Sequence, residues 1–295
     1  MHRPHLTGFA MPSLIRPVSR AGNRLGRLLS RQYRLWTAER RCLPDFIIIG
    51  TQKGGTTSLF HYLAQHPQLE ASWRKEVHFF DGGLNPRRDN HARGERWYRA
   101  NFPLAANMTA DEQAFEASPL YLFHPLAPAR MAALLPEVRL IALLRNPVER
   151  ALSHYFHEVR KGREPLAVME ALQSEEARLA PVLETGDYKH TAFMHFSYKL
   201  RGHYAEQIRR YHQYFPRENL LVLSSEAFFS EPQATLARIF DFIGVDAANV
   251  PNLVARNVGS NRTLVAAPVY DYLQSYFQPL NQDLYELLGT DFGWE

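Results

Sequence analysis

Asp45-Phe46-Ile47-Ile48-Ile49-Gly50-Thr51-Gln52-Lys53-Gly54-Gly55-Thr56-Thr57-Ser58 is the stretch on which the fold turns. Four bulky apolar residues ending in glycine read as a short strand buried on both faces, the kind found inside a parallel sheet. The glycines that follow let the chain curl so that successive N–H groups converge. A helical pattern from Thr57 to Gln65, stopped near Pro67, aims its positive end at the same spot. Lys53 adds a full charge, and Thr56 and Thr57 add hydroxyl donors. Strand, glycine-rich turn, lysine and helix start, in this order, make a cradle for phosphate.

Outward from this junction, Gln113–Ala117, Val138–Leu144 and Asn219–Leu223 read as further strands. Helical patterns lie near 94–101, 125–135, 147–161, 203–214, 232–243 and 268–288. Strands alternating with helices predict an α/β fold with a parallel sheet flanked by helices. Pro44 marks where this body begins, and no linker divides it. The expected organisation is a tail over 1–43 and one domain over 44–295.

The charge is unevenly placed. The 295 residues carry 34 basic and 30 acidic side chains. Residues 1–43 hold nine Arg and a single acid, Glu39, whereas the rest holds 25 basic and 29 acidic groups. The body is mildly acidic, which disfavours nucleic acid as a partner. In the tail, Leu25, Leu28, Leu29, Leu35 and Trp36 recur at helical spacing among Arg24, Arg27, Arg31, Arg34, Arg40 and Arg41. This pattern fits a basic amphipathic helix, suited either to an anionic membrane surface over residues 24–41 or to a solvated or partner-docked role. With no long apolar segment in the tail and one cysteine, Cys42, the expectation is a cytoplasmic protein, peripheral on the inner membrane face.

The phosphate cradle departs from the nucleoside-triphosphate pattern G-x-x-x-x-G-K-[ST]. Gly50 and Gly55 keep its spacing, but Thr56 stands where the lysine belongs and the lysine is Lys53. The strand VRLIALL ends in Arg145-Asn146-Pro147, where a kinase-type site wants an Asp for Mg²⁺. An arginine there repels a metal and attracts a second phosphate, so a phosphorylated nucleotide without metal is expected.

These residues resemble the sulfotransferases that use 3′-phosphoadenosine 5′-phosphosulfate (PAPS), and more closely the heparan-sulfate glucosaminyl 3-O- and N-sulfotransferase branch. The similarity runs from about residue 44 to the C-terminus and implies the P-loop three-layer fold. It implies that Lys53, Gly54, Gly55, Thr56 and Thr57 hold the 5′-phosphosulfate. It also implies that Arg145 and Ser153, in Arg145-Asn146-Pro147-Val148-Glu149-Arg150-Ala151-Leu152-Ser153, hold the 3′-phosphate. Gly259 and Ser260, within Arg256–Arg262, stand where the family has a loop closing over the nucleotide.

A third motif is Lys75-Glu76-Val77-His78-Phe79-Phe80-Asp81. If extended, it places Glu76, His78 and Phe80 on one face, and a carboxylate beside an imidazole suits proton transfer from an acceptor. The glycan sulfotransferases carry a closely similar Glu-x-His-Phe-Phe-Asp. The resemblance therefore implies Glu76 as base, with His78 and Asp81 as its partners and Lys53 countering charge on the leaving oxygen. In Glu116-Ala117-Ser118-Pro119-Leu120-Tyr121 the chain departs from its eukaryotic relatives, with Ala117 where they have a Lys. The acceptor is left open among a glycan, a glycolipid and a small alcohol.

Two other readings stand beside this one: a P-loop kinase or NTPase, and a non-catalytic, membrane-docked nucleotide-binding protein. His61, His66, His154 and His157 fall on predicted helices or their ends, where surface or capping roles account for them. Phe228, Phe229, Phe240 and Phe242 have core spacing, and Trp97 and Tyr98 suit either an acceptor cleft or helix packing.

Overall fold

The computed structural model describes residues 20–249, 252–253 and 265–294. Five strands form one parallel sheet: β1 Phe46–Gly50, β2 Leu69–Ala71, β3 Gln113–Ala117, β4 Arg139–Leu144 and β5 Leu220–Ser224. Their order is β2-β3-β1-β4-β5, with β1 at the centre. Helix α1 (Arg20–Trp36) precedes the sheet and α2 (Thr56–Leu63) follows β1. Next come α3 (Gly94–Arg99), then α4 (Ala127–Leu134) between β3 and β4, and α5 (Pro147–Arg160) directly after β4. Short helices α6 (Val168–Gln173), α7 (Glu175–Thr185) and α8 (Thr191–His195) lead to α9 (Tyr204–His212). After β5 run α10 (Ser225–Ser230), α11 (Pro232–Ile243) and the long α12 (Ala267–Leu288).

The sheet is buried on both faces, and side chains alternate along each strand to fill two cores. Ile47, Ile49, Leu140, Ala142 and Leu144 face one, with Tyr98, Phe102, Ile208 and Tyr211. Phe46, Ile48, Phe115, Ile141 and Leu143 face the other, with Leu59, Leu63, Ile239 and Phe240. The two rings of Phe46 and Phe115 stack at 5.0 Å across neighbouring strands. All four expected strands are present. β2 escaped the pattern because only Leu69 of its three residues is buried.

The helices read from periodicity are also present, within a few residues at their ends. Missing from that reading were α6, α7, α8 and α10. Three of these are too short to show a period, and α7 contains Pro181. Phe229 departs from expectation. It is 45% exposed, whereas Phe228 and Phe240 are buried in the core. Among the described residues no helix is long and apolar enough to cross a membrane.

Candidate active site

The C-terminal ends of β1, β3 and β4 lie side by side at one end of the sheet, and the chain leaves β1 toward strands on both flanks. The crevice outside such strand ends is where ligands bind in open α/β sheets. Three loops converge there.

The first is the turn after β1. Gly54 has no space for a side chain, since a Cβ would lie 2.5 Å from the Leu143 carbonyl oxygen. Gly55, at φ 95°, precedes α2, and the buried Thr56 opens that helix. The turn is tight: the Gly54 N–H donates to the Thr51 carbonyl at 3.0 Å, and the Phe229 ring lies against Gly55. Lys53 itself has φ 73°, a left-handed conformation that costs a non-glycine residue roughly 1–2 kcal/mol.

The second loop follows β4. The Arg145 Nη1 donates to the Lys53 carbonyl at 3.2 Å, and its Nη2 lies 3.3 Å from Glu149. The Asn146 side chain accepts from the N–H groups of Val148 and Glu149, and Pro147 opens α5. An Asn cap followed by Pro at the first helical position is a strong helix start. Ser153 lies in the second turn of the same helix, partly buried.

Positive charge gathers around Lys53 at this end of the sheet. Burial, with Arg160, Arg145 and Arg150 nearby, pushes the Lys53 ammonium below its ordinary value, against a smaller pull from Glu158. Arg150 is wholly buried, and its Nη2 donates to the Tyr198 carbonyl. Its Nε and Nη1 have no hydrogen-bond partner. Buried guanidinium N–H groups without acceptors are costly, and Arg150 adds a fixed positive charge close enough to lower the Lys53 ammonium. Among the described residues no His, Cys, Asp and Glu side chains cluster in a way that would hold a metal.

The third loop, Lys75 to Asp81, is not extended as the alternation suggested. Glu76 (φ 62°) and His78 (φ 53°) are left-handed, so the segment folds on itself and brings its polar side chains together. Lys53, Glu76 and His78 are the only non-glycine residues with positive φ among the described residues. Such conformations persist where the surroundings over-determine them, and they concentrate at functional sites. The Asp81 carboxylate, fully buried, lies 2.6 Å from His78 Nδ1 and accepts from the Gly83 N–H at 2.8 Å. His78 Nε2 is 3.4 Å from Glu76 Oε2, an ion-pair distance without hydrogen-bond alignment. The Lys75 ammonium donates to Glu76 Oε1 at 2.7 Å.

Charge follows from this geometry. Burial alone would lower the His78 imidazole, but the Asp81 and Glu76 carboxylates hold it up at about 10. The adjacent His78, with Lys75, outweighs burial at Glu76 and holds its carboxyl at about 2. At neutral pH the constellation is carboxylate, imidazolium, carboxylate. In that state the Glu76 carboxylate can accept hydrogen bonds, whereas the His78 ring can only donate.

What shapes this loop went unnoticed in the sequence. Glu116, buried at the end of β3, accepts from the hydroxyls of Tyr98 (2.7 Å), Ser118 (2.8 Å) and Tyr121 (3.1 Å). Those hydroxyl oxygens in turn receive backbone N–H groups: His78 to Ser118 at 3.2 Å and Phe79 to Tyr121 at 2.8 Å. The Glu76 N–H donates to the Ala117 carbonyl at 2.9 Å. Burial raises the Glu116 carboxyl to about 7 against these hydroxyl contacts. Tyr98 is thus a support of the loop, and Trp97 is buried beside it. His154 and His66 are buried, which corrects the expectation of surface roles; both ring nitrogens of His154 lack a hydrogen-bond partner. Gly259 and Ser260 lie outside the described residues.

Residues 43–262 match the sulfotransferase domain family. The chain belongs to that family. Heparan sulfate glucosamine 3-O-sulfotransferase 6 of Mus musculus is 30% identical over 280 residues, covering 87% of this chain and 75% of that protein. Heparan sulfate glucosamine 3-O-sulfotransferase 3B1 of Homo sapiens is 29% identical over 277 residues, 86% of this chain and 65% of that protein. The crystal structure of a sulfotransferase from Alicyclobacillus acidocaldarius superposes with a TM-score of 0.71 at 31% identity, covering 86% of this chain and 99% of that one. Sulfotransferase STF9 of Mycobacterium avium, at 14% identity and a TM-score of 0.53, shares the fold. The protein is a sulfotransferase with the P-loop α/β fold of its relatives.

Proposed function

We propose that this sulfotransferase moves the sulfuryl group from PAPS to a hydroxyl or amine of a carbohydrate acceptor, with Glu76 as general base and no divalent metal. The observation that carries the reading is the pairing of two anion sites at one sheet end with a charged Glu76–His78–Asp81 set beside them. The turn Lys53–Thr57 and the start of α2 would hold the 5′ end of PAPS, and Arg145 with Ser153 its 3′-phosphate. The positive charge of Arg145, Arg150 and Arg160 around Lys53 supports an anionic ligand. Bound there, PAPS supplies an activated sulfuryl group. The strand end that would carry a Mg²⁺ carboxylate in a kinase carries Arg145 instead.

Each side chain has a definite task. Lys53 offsets negative charge growing on the leaving oxygen, an electrostatic contribution that is large in a site already shaped for it. Imidazolium His78, fixed by Asp81, aligns the Glu76 carboxylate and places a second positive charge near the reacting centre. A carboxylate held at about 2 is a weak base, yet it suffices here. Little charge develops on the nucleophile in a loose transfer, and once the new S–O bond forms the attached proton is far more acidic than any carboxylic acid. Glu76 then takes that proton late.

The names of the glycan-directed relatives favour a sugar acceptor. Calorimetry with adenosine 3′,5′-bisphosphate in the absence of Mg²⁺, followed by transfer assays from labelled PAPS to a panel of glycans, tests the reading. Binding of Mg·ATP instead, or no transfer to any carbohydrate, would overturn it.

A further inference from the structure

Helix α1 is attached to the body the opposite way from an ordinary surface helix. A surface helix turns its apolar stripe inward and its charges to water. Here the inward side includes Arg34, whose Nε donates to the Ala100 carbonyl at 2.8 Å and whose Nη2 donates to the Phe102 carbonyl at 3.2 Å. Leu35 packs on the core, and its carbonyl accepts from Arg96 Nε at 3.1 Å. The large apolar residues point outward: Leu28 is 54% exposed, Leu29 62%, Tyr33 51% and Trp36 73%. Spacings of four and three residues put Leu29, Tyr33 and Trp36 on one face, with Leu28 at its edge.

Trp73, 44% exposed, extends this face, with the Arg34 guanidinium 5.1 Å above its ring. These five side chains account for nearly half of the large apolar residues that the described chain leaves exposed.

The surroundings are basic. Arg31, Arg34 and Arg74 line the cleft between α1 and Trp73. Arg93 sits over Trp97 at 4.9 Å and is close enough to Arg31 and Arg88 to feel their charge. Glu95, on the helix packed against α1, is paired with Arg99. An outward stripe of Leu, Tyr and Trp edged by arginines fits the boundary between acyl chains and anionic headgroups. It fits a second copy of itself poorly, because a two-fold contact would set the two arginine rims against each other.

We propose that Leu28, Leu29, Tyr33, Trp36 and Trp73 form a docking surface for an anionic lipid bilayer. Trp73 precedes Glu76 by three residues, so docking holds the mouth of the candidate active site within about 10 Å of chain reach of the headgroups. The docking does not depend on which acceptor is sulfated.

The test is co-sedimentation of the full chain with vesicles of phosphatidylcholine alone and of phosphatidylcholine mixed with phosphatidylglycerol. The expected result is binding to the mixed vesicles that weakens as salt rises. The double variant Leu29→Ser/Trp36→Ser should lower the partition coefficient roughly 100-fold, the effect of withdrawing two large apolar side chains. Its thermal midpoint and its binding of adenosine 3′,5′-bisphosphate should stay at the wild-type level, because both residues are exposed and remote from the anion cradle. Equal binding by wild type and variant, equal binding to both vesicle types, or no binding overturns the proposal. A self-association that Trp36→Ser abolishes, with no vesicle binding, assigns the face to a second copy instead.

Discussion

Replacing Asp81 by Asn removes one negative charge from a buried carboxylate 2.6 Å from the His78 ring and changes little else in shape. The separation between about 10 for the His78 imidazole and its ordinary 6.5 corresponds to about 5 kcal/mol favouring the imidazolium. Asp81, buried and in contact, supplies the larger part of it. Without that charge burial acts against the Glu76 carboxylate alone, and the imidazole should titrate well below its wild-type value. The Glu76 carboxylate then loses one of its two cationic neighbours and keeps Lys75. Loss of a charge-assisted contact of about 1.5–3 kcal/mol lowers kcat/KM roughly 10- to 150-fold.

The sign is fixed by the direction of the shift. A raised histidine stabilises the folded protein fully below 6.5 and loses that contribution as pH rises through 10. In wild type the alkaline limb of kcat/KM should therefore fall near pH 10, and in Asp81→Asn it should move well below that. The assay is sulfuryl transfer from labelled PAPS across pH 5 to 11, with the His78 ring followed by NMR. An unchanged alkaline limb, or a His78 ring that titrates as in wild type, would refute the reasoning.

Arg145→Ala should weaken adenosine 3′,5′-bisphosphate binding by roughly 10- to 150-fold in calorimetry, with the fold retained. Glu76→Gln should bind the nucleotide normally while turnover falls about 10²- to 10⁴-fold, as expected for loss of a general base. Glu116→Gln should flatten the pH dependence of thermal stability. The raised wild-type carboxyl stabilises the fold below its ordinary 4.5 and ceases to do so as pH rises through about 7. Thermal midpoints at pH 5 and pH 8 measure the difference, which should shrink in the variant.

The fold was legible because β1, β4 and β5 are nearly continuous apolar runs, the signature of strands covered on both faces. The anion cradle was legible because glycine, lysine and helix start have fixed roles at a β–α junction. The third loop was legible in composition and illegible in shape. Alternation of Glu76, His78 and Phe80 has the period of a strand, and nothing local announces that Glu76 and His78 adopt left-handed backbone. That geometry is imposed from a distance by Glu116, Ser118 and Tyr121, some 40 residues further along the chain. The outward turn of α1 was hidden for a similar reason. Its Arg34 satisfies main-chain carbonyls at Ala100 and Phe102, which no reading of the helix alone could reveal.

The three left-handed residues set stability and activity against each other at the centre of the molecule. Glycine at 53, 76 or 78 would relieve a conformation costing roughly 1–2 kcal/mol per residue, offset in part by the greater freedom of the unfolded chain. Each such replacement also deletes a side chain proposed for the chemistry. A search for heat-resistant variants without an activity screen would therefore drift toward folded, inactive proteins, and these are the positions to hold fixed when the scaffold is made more robust.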